Sequence, residues 1–546
     1  MKNIKLNIIY LISFLFIVSC DSTNLDLRDD PNGAAPSDAD IALLLNGAMT
    51  NFIDFNESAT DFGMEVSRMT QMSGPVYDNA YAPTNFNDLW EDAYAGVLAD
   101  TKTVIANGTD ASLFEHVAVA KILQSYTLTT LVDTFGDVPY SEAISFTGNL
   151  NPKLDDGAEV YTAALELLTE AIIDLGKTSL KDLNSDDDIF YGGSTAKWTT
   201  LAKTLQLRIY NNMRLSNPNT AAINALIADG DLILNADEAF EIEYGTSDND
   251  PDQRHFKFED SYLGSGGEYM ATYFMNLLKN IKSVEDPRLR YYIYRQTLDY
   301  PDPTTAEGLF TLPCLGESKP NHFAFNDPFC NVGDGYWGRD HGDAAGGPPD
   351  TDKISTWGLY PAGGKYDDSE GTPAAASDGA KGAGIHPIWN AASTKFLLAE
   401  SALLLGTTGN AFTLLEEGIT ASINKVTSFN LDAIPTGATI PDAADITAYI
   451  EEVKSNYTAA TSDAQKLNII ITESFISNWG NGVEVYNAYR RTSMPNNMQP
   501  VKSATPGKFI RSFLYPGNLV NLNSNVSSKV DNDVRVFWDL NPDTIE

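Results

Sequence analysis

Apolar residues along most of this chain recur every three to four positions, which is the spacing of a helix with one buried face. The stretch 86–105 shows the pattern, because its apolar side chains fall on a single stripe. Helix pairs that bury a face against their neighbours predict a mainly α fold, a tetratricopeptide-like helical solenoid of four helix hairpins. The paired stretches are 86–105 with 112–133, 159–175 with 195–215, 389–405 with 411–426, and 443–457 with 464–479.

The pattern breaks between the second and third pairs. Residues 231–388 are rich in Gly, Pro and Asp, and they contain only three short strand-like runs, "FEIEY", "HFKFED" and "RYYIYRQ". We therefore predict a large loop-rich subdomain at 231–388, between helical segments at 41–230 and 389–546. A loop region of this length within a folded protein usually carries function.

The first residues predict export and a lipid anchor. Lys2 and Lys5 precede an apolar run at 8–18 that is long enough for a signal peptide but too short to span a bilayer. The run ends in "IVSC", which is typical of a bacterial lipobox, so we expect a signal peptide at 1–19, lipidation of Cys20 and a flexible tether at 20–40. The alternative is an ordinary secretory signal that ends near a cysteine.

Charge and cysteine content narrow the function further. The 546 residues include 74 acidic and 36 basic side chains, and a net charge of −38 argues against nucleic-acid binding and disfavours polyanionic ligands. Cys314 and Cys330 are the only cysteines besides Cys20. In an exported protein, two such thiols predict a disulfide.

The sequence contains no motif of a nucleophilic serine, a zinc protease, a phosphate-binding loop or a dinucleotide site. We therefore predict no catalytic residues and no cofactor. His341 with Asp334, Asp340 and Asp343 is the one plausible metal cluster, and its oxygen ligands would favour calcium. The preferred interpretation is structural, with these side chains bonding the backbone of a long loop, so no metal site is predicted.

Several motifs, which occur in family order over nearly the whole mature chain, resemble the SusD/RagB outer-membrane lipoproteins of Bacteroidetes. The resemblance implies a cell-surface binding protein without catalysis, anchored in the outer membrane as the lid of a SusC-like TonB-dependent barrel transporter and capturing oligosaccharides or peptides. The motifs are "DDPNG" after the lipobox, "LVDTFGDVPYSEA", "DIFYGGSTAKWTTLAKTLQLRIYNNM", "FLLAESALLLG", "NGVEVYNAYRRTSMP" and "RSFLYPGNLVNLN".

Aromatic residues in loops are the candidate ligand contacts, because sugar rings present apolar faces that stack on aromatic planes. Two segments combine aromatics with glycine, proline and hydrogen-bonding side chains, namely 333–368 and 73–88. The alternative is that these aromatics pin their own loops to the scaffold. The predicted ligand-binding residues are Tyr336, Trp337, Trp357 and Tyr360 in the first segment, and Tyr77, Asn79 and Tyr81 in the second.

The other tryptophans are predicted to serve the fold. Trp90, Trp198, Trp389 and Trp479 lie at helical spacing among apolar residues, which predicts core packing, and Trp538 lies in a predicted closing strand.

The strong negative charge favours a neutral glycan as the ligand. Within the same family, peptide capture is the alternative, because an extended peptide is held by backbone hydrogen bonds along a groove. A surface glycoside hydrolase and a purely structural solenoid are the remaining alternatives, since paired carboxylates leave no local sequence signature.

Overall fold

The structure is a computed structural model. It describes residues 40–72, 74–145, 148–249, 252–263, 268–344, 353–358, 367, 369–429 and 440–542. Chain contacts group Ile41–Glu546 into one unit, and the subdomain boundaries predicted within it remain predictions.

The described part of the chain is mainly helical. Its longer α-helices are α1 (Ile41–Val66), α2 (Leu98–Asp110), α3 (Phe114–Phe135), α4 (Gly157–Leu175), α5 (Thr195–Asn212), α6 (Thr220–Asp229), α7 (Thr272–Lys279), α8 (Ala391–Leu405), α9 (Ala411–Ser428), α10 (Ala443–Ala459), α11 (Asp463–Ser477) and α12 (Gly482–Thr492). Shorter α-helical segments are Tyr77–Ala80, Asn87–Glu91, Leu289–Tyr292, Ala306–Thr311 and Gly517–Leu522, and Asp92–Val97 and Glu259–Leu263 are π-helical. Single 3₁₀ turns are Pro83–Phe86, Met213–Leu215, Ala236–Glu238, Pro313–Gly316 and Gly379–Gly382.

Side-chain caps fix where many of these helices begin. The Asp156 carboxylate accepts from the Ala158 amide at the start of α4, and the Ser194 hydroxyl accepts from the Lys197 amide at the start of α5. Each cap satisfies an amide that the first helical turn leaves without a partner. Asparagine, aspartate or serine performs the same role at α8, α9, α10, α11 and α12.

The four predicted helix hairpins are confirmed. Helix α2 packs on α3, α4 on α5, α8 on α9, and α10 on α11. Helix α3 also packs along α4, and α8 along α11, so neighbouring hairpins share their buried faces as in a tetratricopeptide-like stack. Helices α1 and α12 are not among the predicted elements, and they pack against each other beside the hairpins.

Two glycines allow α1 and α12 to come this close. A Cβ atom at Gly63 would lie 2.2 Å from the Gly482 carbonyl oxygen, and a Cβ at Gly482 would lie 2.0 Å from the Thr60 carbonyl oxygen. No side chain fits at either position unless the two backbones separate.

The loop-rich segment, 231–388, contains two small antiparallel sheets. Strand β1 (Phe240–Tyr244) pairs with β4 (Gly384–Trp389), and β2 (Ile293–Tyr294) pairs with β3 (Thr356–Trp357). The strand prediction is therefore confirmed for "FEIEY". It is wrong for "HFKFED", which forms a turn leading into a π-helix, and it holds for "RYYIYRQ" only at β2.

A buried polar network joins the helices to the C-terminal segment. The Asp133 carboxylate of α3 accepts from the Arg208 guanidinium at 3.0 Å, from the Asn487 amide at 2.7 Å and from the Trp538 indole at 2.9 Å. Trp538 is fully buried but lies in a turn, so its predicted strand is wrong. Because these groups satisfy one another, the polar side chains lie in the core without unmatched charge.

Within the part of the chain that the structure describes, no helix has the length and apolar character needed to cross a membrane.

Candidate ligand-binding cleft

The segment 499–511 follows α12 and is the point where three separate loops meet. The Pro506 carbonyl accepts from the Tyr77 amide at 3.0 Å, and the Lys502 amide donates to the His341 carbonyl at 2.8 Å. The Val501 carbonyl lies 2.9 Å from the His322 ring nitrogen Nε2. The two segments predicted from their aromatics, 73–88 and 333–368, are thus brought together here by a third segment.

A cleft of about 450 Å³ opens beside this junction. That volume is in the range of small-molecule sites, which are concave and combine apolar surface with a few polar groups. Its lining is His322, Pro500, Val501, Ser503, Ala504, Pro506, Gly507, Lys508, Phe509, Arg511, Asp533, Arg535 and Pro542.

Apolar groups form much of the cleft, and one of these groups, the Phe509 ring, packs against other aromatic rings. The Phe509 ring lies 5.4 Å from the Tyr489 ring and 6.0 Å from the Tyr77 ring, both in edge-to-face orientation. The Arg68 guanidinium lies 5.6 Å from the Phe509 centroid. This packing holds the ring in place, so Phe509 contributes a fixed apolar surface at the cleft.

Two of the three Lys and Arg side chains that line the cleft, Lys508 and Arg511, form ion pairs, and the third, Arg535, donates to backbone carbonyls. Lys508 contacts Asp531 at 3.1 Å and also contacts Asp533, and Arg511 donates to both oxygens of Asp539 at 3.0 and 3.1 Å. The cations therefore orient hydrogen-bonding groups without leaving a strong net positive charge.

This arrangement suits a neutral, ring-shaped ligand with both apolar and hydroxyl-bearing faces. The proline rings and Phe509 offer apolar contact, while Ser503 and the edges of the ion pairs offer donors and acceptors. A polyanion would have to compete with the carboxylates that already bind these cations.

The structure corrects the predicted exposure of the loop aromatics at 336–357. Tyr336, Trp337 and Trp357 are each 2% exposed or less. The Trp357 ring packs 4.4 Å from the Trp479 ring, and Trp337 packs with the disulfide-bonded cysteines. In this structure their faces are filled by protein, as in the alternative that loop aromatics pin their own loops.

The second predicted segment shows the same correction with one exception. Tyr77 and Tyr81 are buried, with Tyr77 beneath the cleft and Tyr81 packed 5.3 Å from the Phe513 ring. Asn79 is exposed, and its neighbour Asp78 accepts from Asn532, which precedes the cleft residue Asp533. The ligand roles of Asn79 and of the buried aromatic residues remain predictions. Tyr360 and Cys20 lie outside the described residues.

The predicted disulfide is confirmed. Cys314 and Cys330 are bonded, with their Cα atoms 5.4 Å apart, and together with Leu312 and Trp337 they form a small buried cluster. The bond closes a loop that contains the cleft residue His322.

Of the four residues considered as a metal cluster, the three carboxylates bond to different protein groups, and the His341 ring packs near the Tyr77 ring. Burial raises the pKa of Asp340 to about 6, and burial lowers the pKa of His341. Among the described residues, no group of three or more potential ligands is arranged to hold a metal ion. The partners are Cys330 and Gln499 for Asp340, Lys502 for Asp343, Lys279 for Asp334, and the Tyr77 ring for His341.

Sequence reasoning missed nearly all the cleft residues. They come from 500–511 and 533–542, which carry no concentration of exposed aromatics. The available signal was composition, since "QPVKSATPGK" contains two prolines, one of them in a Pro-Gly pair, and therefore indicates a loop.

Two family profiles match the chain. The profile described as starch-binding and associating with the outer membrane matches residues 33–311, which is more than half of the chain. The profile described as SusD and RagB outer membrane lipoprotein matches residues 363–531. The chain belongs to the SusD family. It is accordingly an outer-membrane lipoprotein, as the resemblance implied, and the description of the family names binding rather than a reaction.

Solved structures of SusD proteins share the fold over almost the whole chain. A chitin-binding protein is 20% identical with a TM-score of 0.64, covering 93% of this chain and 100% of its own. A SusD/RagB family protein from Bacteroides thetaiotaomicron is 18% identical with a TM-score of 0.66, covering 92% and 99%. A chitin-binding SusD homolog from Flavobacterium johnsoniae is 20% identical with a TM-score of 0.60, covering 91% and 99%. No curated protein matches the chain.

Proposed function

We propose that this SusD protein captures neutral oligosaccharides at the cell surface and passes them to a SusC-like TonB-dependent barrel, over which it acts as the lid. It binds the glycan in the cleft beside segment 499–511 and catalyses no reaction. The cleft supports this proposal, because it combines apolar surface with internally neutralised charge.

The relatives add to this support. The matched profile is described as starch-binding, and two structurally similar proteins are described as chitin-binding. Starch and chitin are both neutral polymers of pyranose rings, whose hydroxyl-edged, apolar faces match the chemistry of the cleft.

An obstruction variant tests the proposal. Ala504 lines the cleft and is exposed, so Ala504→Trp fills the cleft without removing a core contact. We expect calorimetry with starch- and chitin-derived oligosaccharides to show binding by the chain 21–546, and at least a tenfold loss in Ala504→Trp. Ala448→Trp, on the exposed surface of α10, is the matched control and should bind like the unmodified chain.

The same samples decide between the alternatives. Binding of extended peptides without binding of glycans would establish the peptide-capturing function instead. Shortened oligosaccharides after incubation would show a hydrolase. Equal binding by both tryptophan variants would place the ligand outside this cleft.

A further inference from the structure

The disulfide-closed loop carries an aromatic side chain that the cleft does not use. Phe325 is 98% exposed, at the tip of the loop closed by Cys314 and Cys330. Isolated exposed apolar residues are common on proteins, so exposure alone indicates nothing. The way in which this tip is held is more informative.

Four hydrogen bonds fix the turn beneath Phe325. The Lys319 ammonium donates to the Phe325 carbonyl at 3.0 Å and to the Asp327 carbonyl at 2.6 Å. The Asp327 carboxylate accepts from the Ala324 amide at 2.6 Å, and the Asp327 amide donates to the Ala324 carbonyl at 3.2 Å. Every bond uses backbone or the neighbouring charged groups, so the turn holds its shape without the Phe325 ring.

The base of the loop is also fixed. The Phe323 and Phe329 rings pack edge to face at 6.2 Å on either side of the tip, and Cys330 is tied to Cys314. A pre-ordered aromatic contributes more to binding than a mobile one, because less conformational freedom is lost when the ligand arrives.

The tip lies next to the cleft. His322, which lines the cleft and contacts Val501, is three residues before Phe325. Three residues span at most about 11 Å of chain. A glycan leaving the cleft on the His322 side therefore comes within reach of Phe325.

We propose that Phe325 stacks on a sugar ring of the glycan beyond the cleft, so that the protein selects longer oligosaccharides over short ones. This inference rests on the proposed function. A sugar ring is the suitable occupant because one side chain offers far less surface than the roughly 800 Å² per partner of a stable protein interface. The charges nearest the ring, Lys319 and Asp327, bond within the turn, which favours a neutral ligand.

The test is affinity as a function of oligosaccharide length, from two to eight sugar units, with the glycan series that the unmodified chain binds. We expect affinity to rise with length, and Phe325→Ala to lose about tenfold for the longest members while binding the shortest normally. Phe325→Trp should restore the gain with length. Leu180→Ala, which truncates a 79% exposed side chain in a segment that does not line the cleft, should leave the whole series unchanged.

Each failure has its own signature. If the unmodified chain binds short and long glycans equally, or if Phe325→Ala keeps the gain with length, Phe325 has no such role and the proposed cleft function stands. If no glycan of any length binds, both proposals are overturned. A melting curve that matches the unmodified chain confirms that Phe325→Ala is folded, as the backbone bonding of the turn predicts.

Discussion

The helix hairpins and the loop-rich segment between them are stabilised in different ways. In α3 nearly every residue is buried, and the helix satisfies its own backbone, so apolar packing can cover it on all sides. In its described residues the loop-rich segment has two small sheets, and side chains bond part of the remaining backbone. The Gln296 amide, for example, donates to the Ile354 carbonyl at 2.9 Å and accepts from the Ala374 amide at 3.0 Å.

Large aromatic residues complete the interior of the loop-rich segment. Trp357 packs on Trp479 of the helical part, and Trp479 stacks on Phe274 at 5.0 Å with nearly parallel rings. An aromatic residue in a glycine-rich loop can therefore pack in the interior of that loop rather than on its surface. Other large rings, such as Tyr262, Tyr292 and Tyr336, lie in the same buried cluster as Trp357.

The largest expected effect tests this difference directly. Trp357→Ala should lower the free energy of unfolding by about 3–5 kcal/mol, because it leaves a cavity against Trp479. Trp90→Ala, on the partly buried surface of the helical part, should cost only about 1–2 kcal/mol, mainly from its stacking with Tyr94 at 4.5 Å. Denaturant titration of the two variants gives the comparison.

The prediction concerns which of the two variants loses more free energy of unfolding. A smaller loss for Trp357→Ala than for Trp90→Ala would mean that the loop-rich segment does not depend on its buried aromatics. Fluorescence of the remaining tryptophans shows whether the rest of the protein stays native in each variant.

The disulfide gives the next largest effect, and it should be local. Closing a loop of this size is worth about 3 kcal/mol in the chain-entropy model, and the bond lies in a small cluster with Leu312 and Trp337, against which Leu315 and Phe329 pack. In a chain with Cys314→Ser and Cys330→Ser, we expect amide exchange to quicken around 312–340 while α3 and α4 keep their protection. Hydrogen-exchange mass spectrometry measures both regions in one experiment.

Alkylation provides the control for that experiment. The denatured but unreduced chain 21–546 should show no free thiol, and two labelled cysteines would contradict the bond. Faster exchange across α3 as well would show that the loop supports the whole scaffold.

The sequence predicts the hairpins well because an apolar stripe at helical spacing has one stable solution, burial against a neighbour. It predicts α12 poorly, because that helix buries Asn487, Arg490 and Arg491. These residues are buried only because Asp133, the Arg511 carbonyl and Glu400 lie where they can bond them, and such partners are distant in sequence.

The cleft was unpredictable for a related reason. Its wall forms where segment 500–507 contacts the loops of Tyr77, His322 and His341. Contacts among four segments that are distant in sequence leave no local pattern from which they could be predicted. The two loops that the sequence analysis selects both border the candidate cleft, and the predicted disulfide is confirmed. The burial of their aromatic residues could not be predicted, since buried and exposed rings in loops share the same local composition.

A carboxylate at the junction of the two regions gives the smallest effect. Glu57 of α1 accepts a hydrogen bond from the Tyr244 hydroxyl of β1. Burial raises the pKa of Glu57 to about 8; this hydrogen bond and, more weakly, Lys257 oppose the rise, while Asp54 and Asp61 add to it. In the unfolded chain the same carboxyl ionises near 4.5. The folded state therefore binds more protons between these values, so this contribution is full below pH 4.5 and is lost as pH rises through 8.

We expect Glu57→Gln to remove that dependence. The unmodified chain should lose about 1–2 kcal/mol more stability than Glu57→Gln between pH 5 and pH 8.5, a figure reduced for the partial exposure of the side chain. Denaturant titrations at the two pH values measure the difference, and Glu243→Gln, an exposed position on the same strand as Tyr244, is the matched control. Because many groups titrate in this range, only the difference between variants is informative. If all three chains lose the same free energy of unfolding between the two pH values, the ionisation of Glu57 does not contribute to the pH dependence of stability.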